Sequence, residues 1–370
     1  MLARGSAAGC CALGCGQAGC PAAQQLPPEP DCNGHMRWQW RAWGNIRVHV
    51  PPRVAREESS MPIMRSVLLA ISENRWMRAH GQRLWFVRRA VSAFMPGEEL
   101  EDMLRAAGTQ APHNIGTVFT RLGESVTEWS EADFVMRHYL DAMERCRSAG
   151  VGSEPSVKPT QLGLDMDAER CHQNLRALAE RARQLNSYLW IDMEQTAYVD
   201  ATLEIVRRLQ AEFGNVGVCL QAYLYRTLED IAALRPLGVG VRLVKGAYSE
   251  PPALAFPRKA DVDENFFQIA VAMLAPQGRP AAFRAVFGTH DAVLIARIRA
   301  HCKTIGVADS ALEVHMLYGI QRAEQLRLVK AGVRVCVLIA YGTFWFPWYM
   351  RRLAERPANV GFVLRSMFAR

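Results

Sequence analysis

Between residues 116 and 340 eight short aliphatic, β-branched runs alternate with longer stretches of helical spacing, and this alternation restricts the fold more than any other feature. The strand-like runs are 116–122, 156–158, 188–193, 216–223, 239–245, 284–288, 312–316 and 334–340. Apolar residues at three- and four-residue spacing mark helices over 131–147, 167–184, 198–213, 263–274, 291–301 and 320–331. Consecutive strands separated by a helix pair in parallel, because a parallel neighbour can only be reached by a crossover. Eight such units in one chain predict an α/β fold of the closed (βα)8, TIM-barrel type. The competing open, doubly wound sheet is disfavoured because no GxGxxG follows the first strand.

Composition sets bounds on the rest. The chain has 370 residues, 50% of them hydrophobic and 22% charged, enough for one large barrel or two ordinary domains. Residues 1–60 are rich in Ala, Gly, Cys and Pro without sustained period, and are expected to be a disordered extension. Met61 and Met64 stand where patterned sequence begins, so an internal start is the alternative reading of that stretch. A helical arm is expected over 64–110 and the barrel over 111–370. The arm is basic where it starts, with Arg65, Arg75, Arg78, Arg83, Arg88 and Arg89 against Glu73, and Trp76, Trp85 and Phe86 interleaved. Such a segment packs on the barrel or lies on a membrane surface.

The net charge of +8 would suit nucleic acid, but no nucleic-acid motif accompanies it. Cys10, Cys11, Cys15, Cys20 and Cys32 lack the paired CxxC spacing of a zinc site, so no metal is expected. The remaining five cysteines read as buried small residues in a reducing compartment. No run of 18 apolar residues predicts a membrane span, and the first 20 residues lack the Leu-rich core of a signal peptide.

A parallel barrel builds its active site where the strands end, and polar residues gather there in this sequence. Lys158 ends one run, Asp192 another, and Gln221 a third; Arg242 and Lys245 lie in RLVKGAY, and Thr289 and His290 close VFGTH. In RLVKGAY two cations flow into Gly246, where the backbone can approach a phosphate or a flat ring closely. Further on, 345–359 reads WFPWYMRRLAERPAN. Arg351 and Arg352 are adjacent, about 100° apart on a helix, and grip one anion jointly only near a helix end or over a cavity. Glu355 shares their face at i+4 and i+3, and Pro357 marks the next break.

These motifs together resemble the proline dehydrogenases, both the single-function bacterial type and the corresponding domain of bifunctional proline-utilisation enzymes. The resemblance runs from about Met64 to the C-terminus. It implies that the YxxRRxxE segment forms a helix over the barrel mouth, with Arg351 and Arg352 holding the proline carboxylate above FAD. It implies that Arg242 contacts the flavin near its reactive nitrogen, and that Met193, Gln221, Lys245, Gly246, Ala247, Thr289, His290 and Glu355 belong to the cofactor site. Asp192 and Lys158 correspond to the active-site carboxylate and lysine, and Leu317 of VHMLYG to a pocket leucine. The implied reaction oxidises L-proline to Δ1-pyrroline-5-carboxylate, the first step of proline catabolism to glutamate, with electrons passing by way of FAD to a quinone. It also implies a cytoplasmic enzyme with peripheral contact to the inner membrane. No aldehyde-dehydrogenase half follows Arg370, so a separate pyrroline-5-carboxylate dehydrogenase is expected downstream.

Three positions depart from the family pattern. Ser249 replaces a residue that is aromatic or lysine, and His315 replaces a glutamine. RVCVLIAYG stands for RVYxxYG, so Cys336 or Leu338 takes the place of a pocket tyrosine. That last departure opens hydroxyproline or another cyclic amino acid as alternative substrate. Two further readings are a Schiff-base aldolase using Lys158 or Lys245, and a flavin-binding barrel without turnover.

Overall fold

The computed structural model describes residues 91, 94–275, 280 and 282–346, and two short strands at 29–30 and 36–37. By contacts the chain divides into two units, Met1–Ser59 and Ser60–Arg370. Within the first, Glu29–Pro30 pairs antiparallel with Met36–Arg37. The disorder expected for 1–60, the basic stretch 65–90 and the arginine pair at 351–352 otherwise lie outside the described residues.

The second unit contains a closed barrel of eight parallel strands: β1 Gly116–Arg121, β2 Ser153–Val157, β3 Leu189–Ile191, β4 Val216–Gln221, β5 Gly240–Val244, β6 Ala285–Gly288, β7 Glu313–Leu317 and β8 Arg334–Tyr341. The ring closes where β8 pairs with β1, Cys336 opposite Gly116 and Leu338 opposite Val118. A helix α1, Leu100–Gly108, precedes the barrel and packs its buried Leu100 and Met103 side towards the core. The crossovers are α2 Trp129–Ser148, α3 Ala168–Gln184, α4 Val199–Phe213, α5 Thr227–Leu234, α6 Lys259–Leu274, α7 Ala292–Thr304 and α8 Arg322–Lys330.

All eight strands fall on the expected runs, with one shift and one addition among the connecting elements. β2 begins at Ser153 and not at 156, because its two ends serve different neighbours: Ser153–Pro155 pair with β1, and Ser156 and Val157 pair with β3. Pro155, which reads as a strand breaker, sits at that changeover. The helix α5 had no counterpart in the apolar spacing, since eight residues make barely two turns.

Local chemistry explains the helix starts. Asp167 accepts a hydrogen bond from the Arg170 amide at 2.7 Å, and Asp291 accepts one from the Leu294 amide at 3.1 Å, each satisfying a donor that the first turn leaves unpaired. Aliphatic residues between strands and helices form one continuous core, including Leu175, Leu178, Val206, Leu209, Phe266 and Ile269. Each fully buried Val, Leu or Phe there contributes about 1.5–3 kcal/mol relative to exposure.

Inside the barrel, Val118, Trp190 and Val286 make a separate small cluster, flanked by Tyr188, Cys336 and Leu338. Beneath it, where strands begin, lies a charged floor. Arg284 donates to Glu154 at 2.8 Å and forms a two-pronged pair with Glu313 at 3.0 and 2.5 Å. Trp190 Nε1 donates to Glu154 at 2.7 Å. His315, next on the inner face of β7, approaches Glu313 Oε1 at 2.9 Å and Trp190 edge-on at 5.6 Å between ring centroids. Burial holds the His315 pKa below its ordinary value despite the carboxylate, so the ring is neutral. Glu313 stays ionised, its pKa depressed: burial opposes the charge, but His315 and Arg284 outweigh it. An ionised carboxylate only accepts, so Nε2 carries the imidazole hydrogen.

Candidate active site

At the opposite, C-terminal ends of the strands the polar residues form two linked groups. The first centres on Arg242 of β5, which is almost fully buried. Its Nη2 forms a short ion pair with Asp192 Oδ1 and donates to Ser156 Oγ at 2.7 Å. Ser156 Oγ in turn lies 3.0 Å from the same Asp192 oxygen. The guanidinium also lies 4.9 Å from the Trp190 ring centroid. Burial opposes its charge, and Asp192 and Cys219 more than offset that, so the pKa of Arg242 is raised and the cation is fixed. Arg242 Nη1 nevertheless has no hydrogen-bond partner. A buried, charged donor without an acceptor is costly, and an acceptor arriving in the site would relieve that cost.

Lys158 follows β2 and is buried, at the start of a 3-10 turn, Pro159–Leu162. Gln221 ends β4; its Nε2 donates to the Glu194 carbonyl at 3.1 Å, while its Oε1 is buried without a partner. Met193 is buried in the loop after β3.

The second group lies at the exits of β5, β6 and β7. Lys245, just past β5, is held by Asp263 at 2.5 Å and by Asp291 at 2.8 Å, so its charge is already shared between α6 and the cap of α7. Gly246 has φ +114°, and a Cβ added there would overlap the ring of Tyr223. Only glycine fits this turn, which carries the backbone of 245–247 past that ring. The Thr289 amide donates to the His315 carbonyl at 3.1 Å. His290 Nε2 accepts from the Leu317 amide at 3.1 Å, tying the β6 exit to the β7 exit and placing the hydrogen of the neutral ring on Nδ1.

The site thus holds buried donors and orphaned polar atoms, Arg242 Nη1 and Gln221 Oε1, beside a turn restricted to glycine. That set suits a flat polar cofactor with acceptors at one edge, and so fits a flavin. Arg351, Arg352 and Glu355 lie outside the described residues. The two candidates for the missing tyrosine, Cys336 and Leu338, lie at different depths of β8. Leu338 stands opposite Leu317, near the strand end, whereas Cys336 lies two residues deeper, against Gly116.

Four further residues join these groups: Ser156, Asp263, Asp291 and Glu194. In the sequence Ser156 is one residue of a strand-like run, and Asp263 and Asp291 begin helical stretches. Glu194, in DMEQ, is a second carboxylate two residues past Asp192, and that spacing is the signal for it.

Comparison with known proteins identifies the family of the chain. The profile of the Pro_dh family, described as proline dehydrogenase, matches residues 103–365. Proline dehydrogenase 1 of Bacillus subtilis strain 168 is 35% identical over 309 residues, spanning 82% of this chain and 99% of that protein. The proline dehydrogenase of Deinococcus radiodurans is 33% identical over 291 residues, 77% of this chain and 91% of that one. Among solved structures, proline utilization A from Bdellovibrio bacteriovorus, inactivated by N-propargylglycine, has the same fold, with a TM-score of 0.69 at 22% identity over 83% of this chain. The matched part is 38% of that longer protein. With the barrel, the strand-end site and these relatives in agreement, the chain belongs to the proline dehydrogenase family.

Proposed function

We propose that this protein oxidises L-proline to Δ1-pyrroline-5-carboxylate with FAD as its cofactor. The observation that carries the reading is the buried Arg242, fixed by Asp192 and Ser156 at the strand ends, with one guanidinium nitrogen still lacking an acceptor. Family membership supports the substrate. FAD, when bound, supplies the acceptor for the hydride that leaves the ring carbon beside the proline nitrogen.

The chain's own residues then orient and tune. Arg242, Met193, Gln221, Gly246, Ala247, Thr289 and His290 would hold the cofactor, with Lys245 buttressing the turn through its two carboxylates and Glu355 contributing from the C-terminal segment. Arg351 and Arg352 bind the substrate carboxylate through paired donors, and a misplacement of about 1 Å there would cost on the order of 100-fold in rate. Lys158 and Asp192 frame the ring, and Leu317 packs against its apolar edge.

A quinone is the expected electron acceptor, and a separate pyrroline-5-carboxylate dehydrogenase is expected to consume the product. Among the described residues no helix is long and apolar enough to cross a membrane. The test is an anaerobic spectrum of the purified protein. Flavin absorbance that bleaches on adding proline, with one equivalent of cyclic imine formed, supports the reading. A colourless protein that cannot be loaded with FAD, or a flavin indifferent to proline, refutes it.

A further inference from the structure

The side chain of Glu194 has no role assigned so far, yet the residue touches three of the strand exits that build the site. It lies in the loop after β3 and is only 2% exposed. Its Oε2 accepts from the Thr160 amide at 3.0 Å and its Oε1 from the Thr160 hydroxyl at 2.7 Å, within the 3-10 turn that begins after Lys158. Its backbone carbonyl accepts from Gln221 Nε2 at 3.1 Å. One residue therefore fastens together the loops that carry Lys158, Asp192 with Met193, and Gln221.

An ionised carboxylate suits this fastening, because it accepts the Thr160 amide hydrogen at one oxygen and the Thr160 hydroxyl hydrogen at the other. The neutral acid, or a glutamine, keeps the amide contact through its carbonyl oxygen but must turn the Thr160 hydroxyl round to accept, and loses the charge assistance. The groups facing Glu194 electrostatically are Lys158 from the β2 exit, Glu124 from the β1 exit, Tyr198 ahead of α4 and Cys171 of α3. Of these, Lys158 favours the charged form and Glu124 opposes it.

We propose that Glu194, as a carboxylate, is the positioning residue that sets the Lys158 turn for binding of the substrate. The proposal rests on the proline-oxidising reading for the identity of the ligand. Burial raises the Glu194 pKa to about 7 against the pull of Thr160 and Lys158. Its protonation is therefore set to change within the ordinary working range. The competent form is the deprotonated one, so binding weakens as pH falls through that value.

Two variants and two readouts test this: Glu194→Gln and Thr160→Val, each loaded with FAD. KM and kcat for proline are measured from pH 5.5 to 9, alongside calorimetric affinity for cyclopentanecarboxylate, a five-membered-ring acid with no nitrogen to oxidise. Glu194→Gln is expected to raise KM and the analogue Kd about tenfold or more, the loss of one charge-assisted contact, with a smaller change in kcat and with the acid limb flattened. Thr160→Val removes one donor to the carboxylate and is expected to move the acid limb to higher pH, a displacement that a merely structural role would not produce. Unchanged KM, unchanged analogue Kd and an unmoved acid limb in both variants would overturn the proposal; if Glu194→Gln fails to fold, the Thr160→Val limb decides alone. A wild-type protein that binds the analogue but does not oxidise proline refutes the functional reading, while the analogue affinities still judge Glu194.

Discussion

Replacing Gly246 by alanine tests whether the turn after β5 is pinned by Tyr223. At φ +114° the residue lies beyond the narrow left-handed well near +50 to +70° that other residues occasionally visit, a strain worth about 1–3 kcal/mol. The new Cβ would also overlap the Tyr223 ring, and overpacking of this kind costs about 1–3 kcal/mol. Together the loss should be about 2–6 kcal/mol, a large part of the roughly 5–15 kcal/mol that holds most domains folded.

Gly214, the cap of α4, is the control. Its φ is +74°, and an added Cβ meets nothing within 4 Å, so Gly214→Ala carries backbone strain alone, about 1–2 kcal/mol. Urea unfolding of both variants gives the two losses, and FAD retained through gel filtration gives the functional consequence. Gly246→Ala should be the less stable of the two by about 1 kcal/mol or more and should lose flavin, whereas Gly214→Ala should keep it. Equal destabilisation with full flavin retention would mean that Tyr223 swings aside freely and that the turn is not shaped by it.

Three other outcomes are expected. Arg351→Lys and Arg352→Lys should each raise KM for proline strongly while sparing FAD content, because lysine keeps the charge but loses the planar fork; an unchanged KM in both would make the pair a surface patch. Glu313→Gln should destabilise the barrel by about 3–5 kcal/mol at neutral pH by stripping Arg284 of its two-pronged partner. The Glu313 pKa is depressed on folding, so its contribution is present above the ordinary carboxylate range and lost as pH falls through the folded value. The gap between wild type and variant in urea unfolding should accordingly narrow in acid. Finally, Leu338→Tyr should sharpen the kcat/KM preference for proline over trans-4-hydroxy-L-proline, since an apolar wall rejects an added hydroxyl by only about 100-fold. Cys336→Tyr, pressed against Gly116, should disturb folding instead; wild-type discrimination of several thousand-fold, unmoved by Leu338→Tyr, would show that another side chain fills the space.

The barrel was legible because parallel strands covered on both sides are rich in aliphatic residues, as VGVCL at 216–220 and VGVRLV at 239–244 show. Asp192, Arg242 and Gln221 were legible for a second reason, that a barrel makes its strand ends informative. What escaped was pairing. Nothing in sequence says that Lys245 meets Asp263 and Asp291, or that Ser156 sits between Asp192 and Arg242, because these contacts join segments tens of residues apart. Pro155 hid the first half of β2 for a different reason: a rule about strand interiors does not anticipate a strand that changes partner midway. Nor does sequence say which of Cys336 and Leu338 lies beside Leu317; the register of β8 on β7 puts Leu338 there.

The closing of the ring by β8 upon β1 has a bearing on how the chain reaches its native state. Every other strand pair joins neighbours in sequence, whereas this one unites the first strand with the last. Contacts of such long separation are rewarded only after most of the loop entropy has been spent, which slows folding. During synthesis the chain emerges N-terminus first, so until Arg334–Tyr341 appears, β1 and β7 present unpaired edges, and exposed edges invite pairing between molecules. Arg351 and Arg352 come later still. The pair proposed to grip the substrate carboxylate therefore leaves the ribosome only after every strand of the barrel.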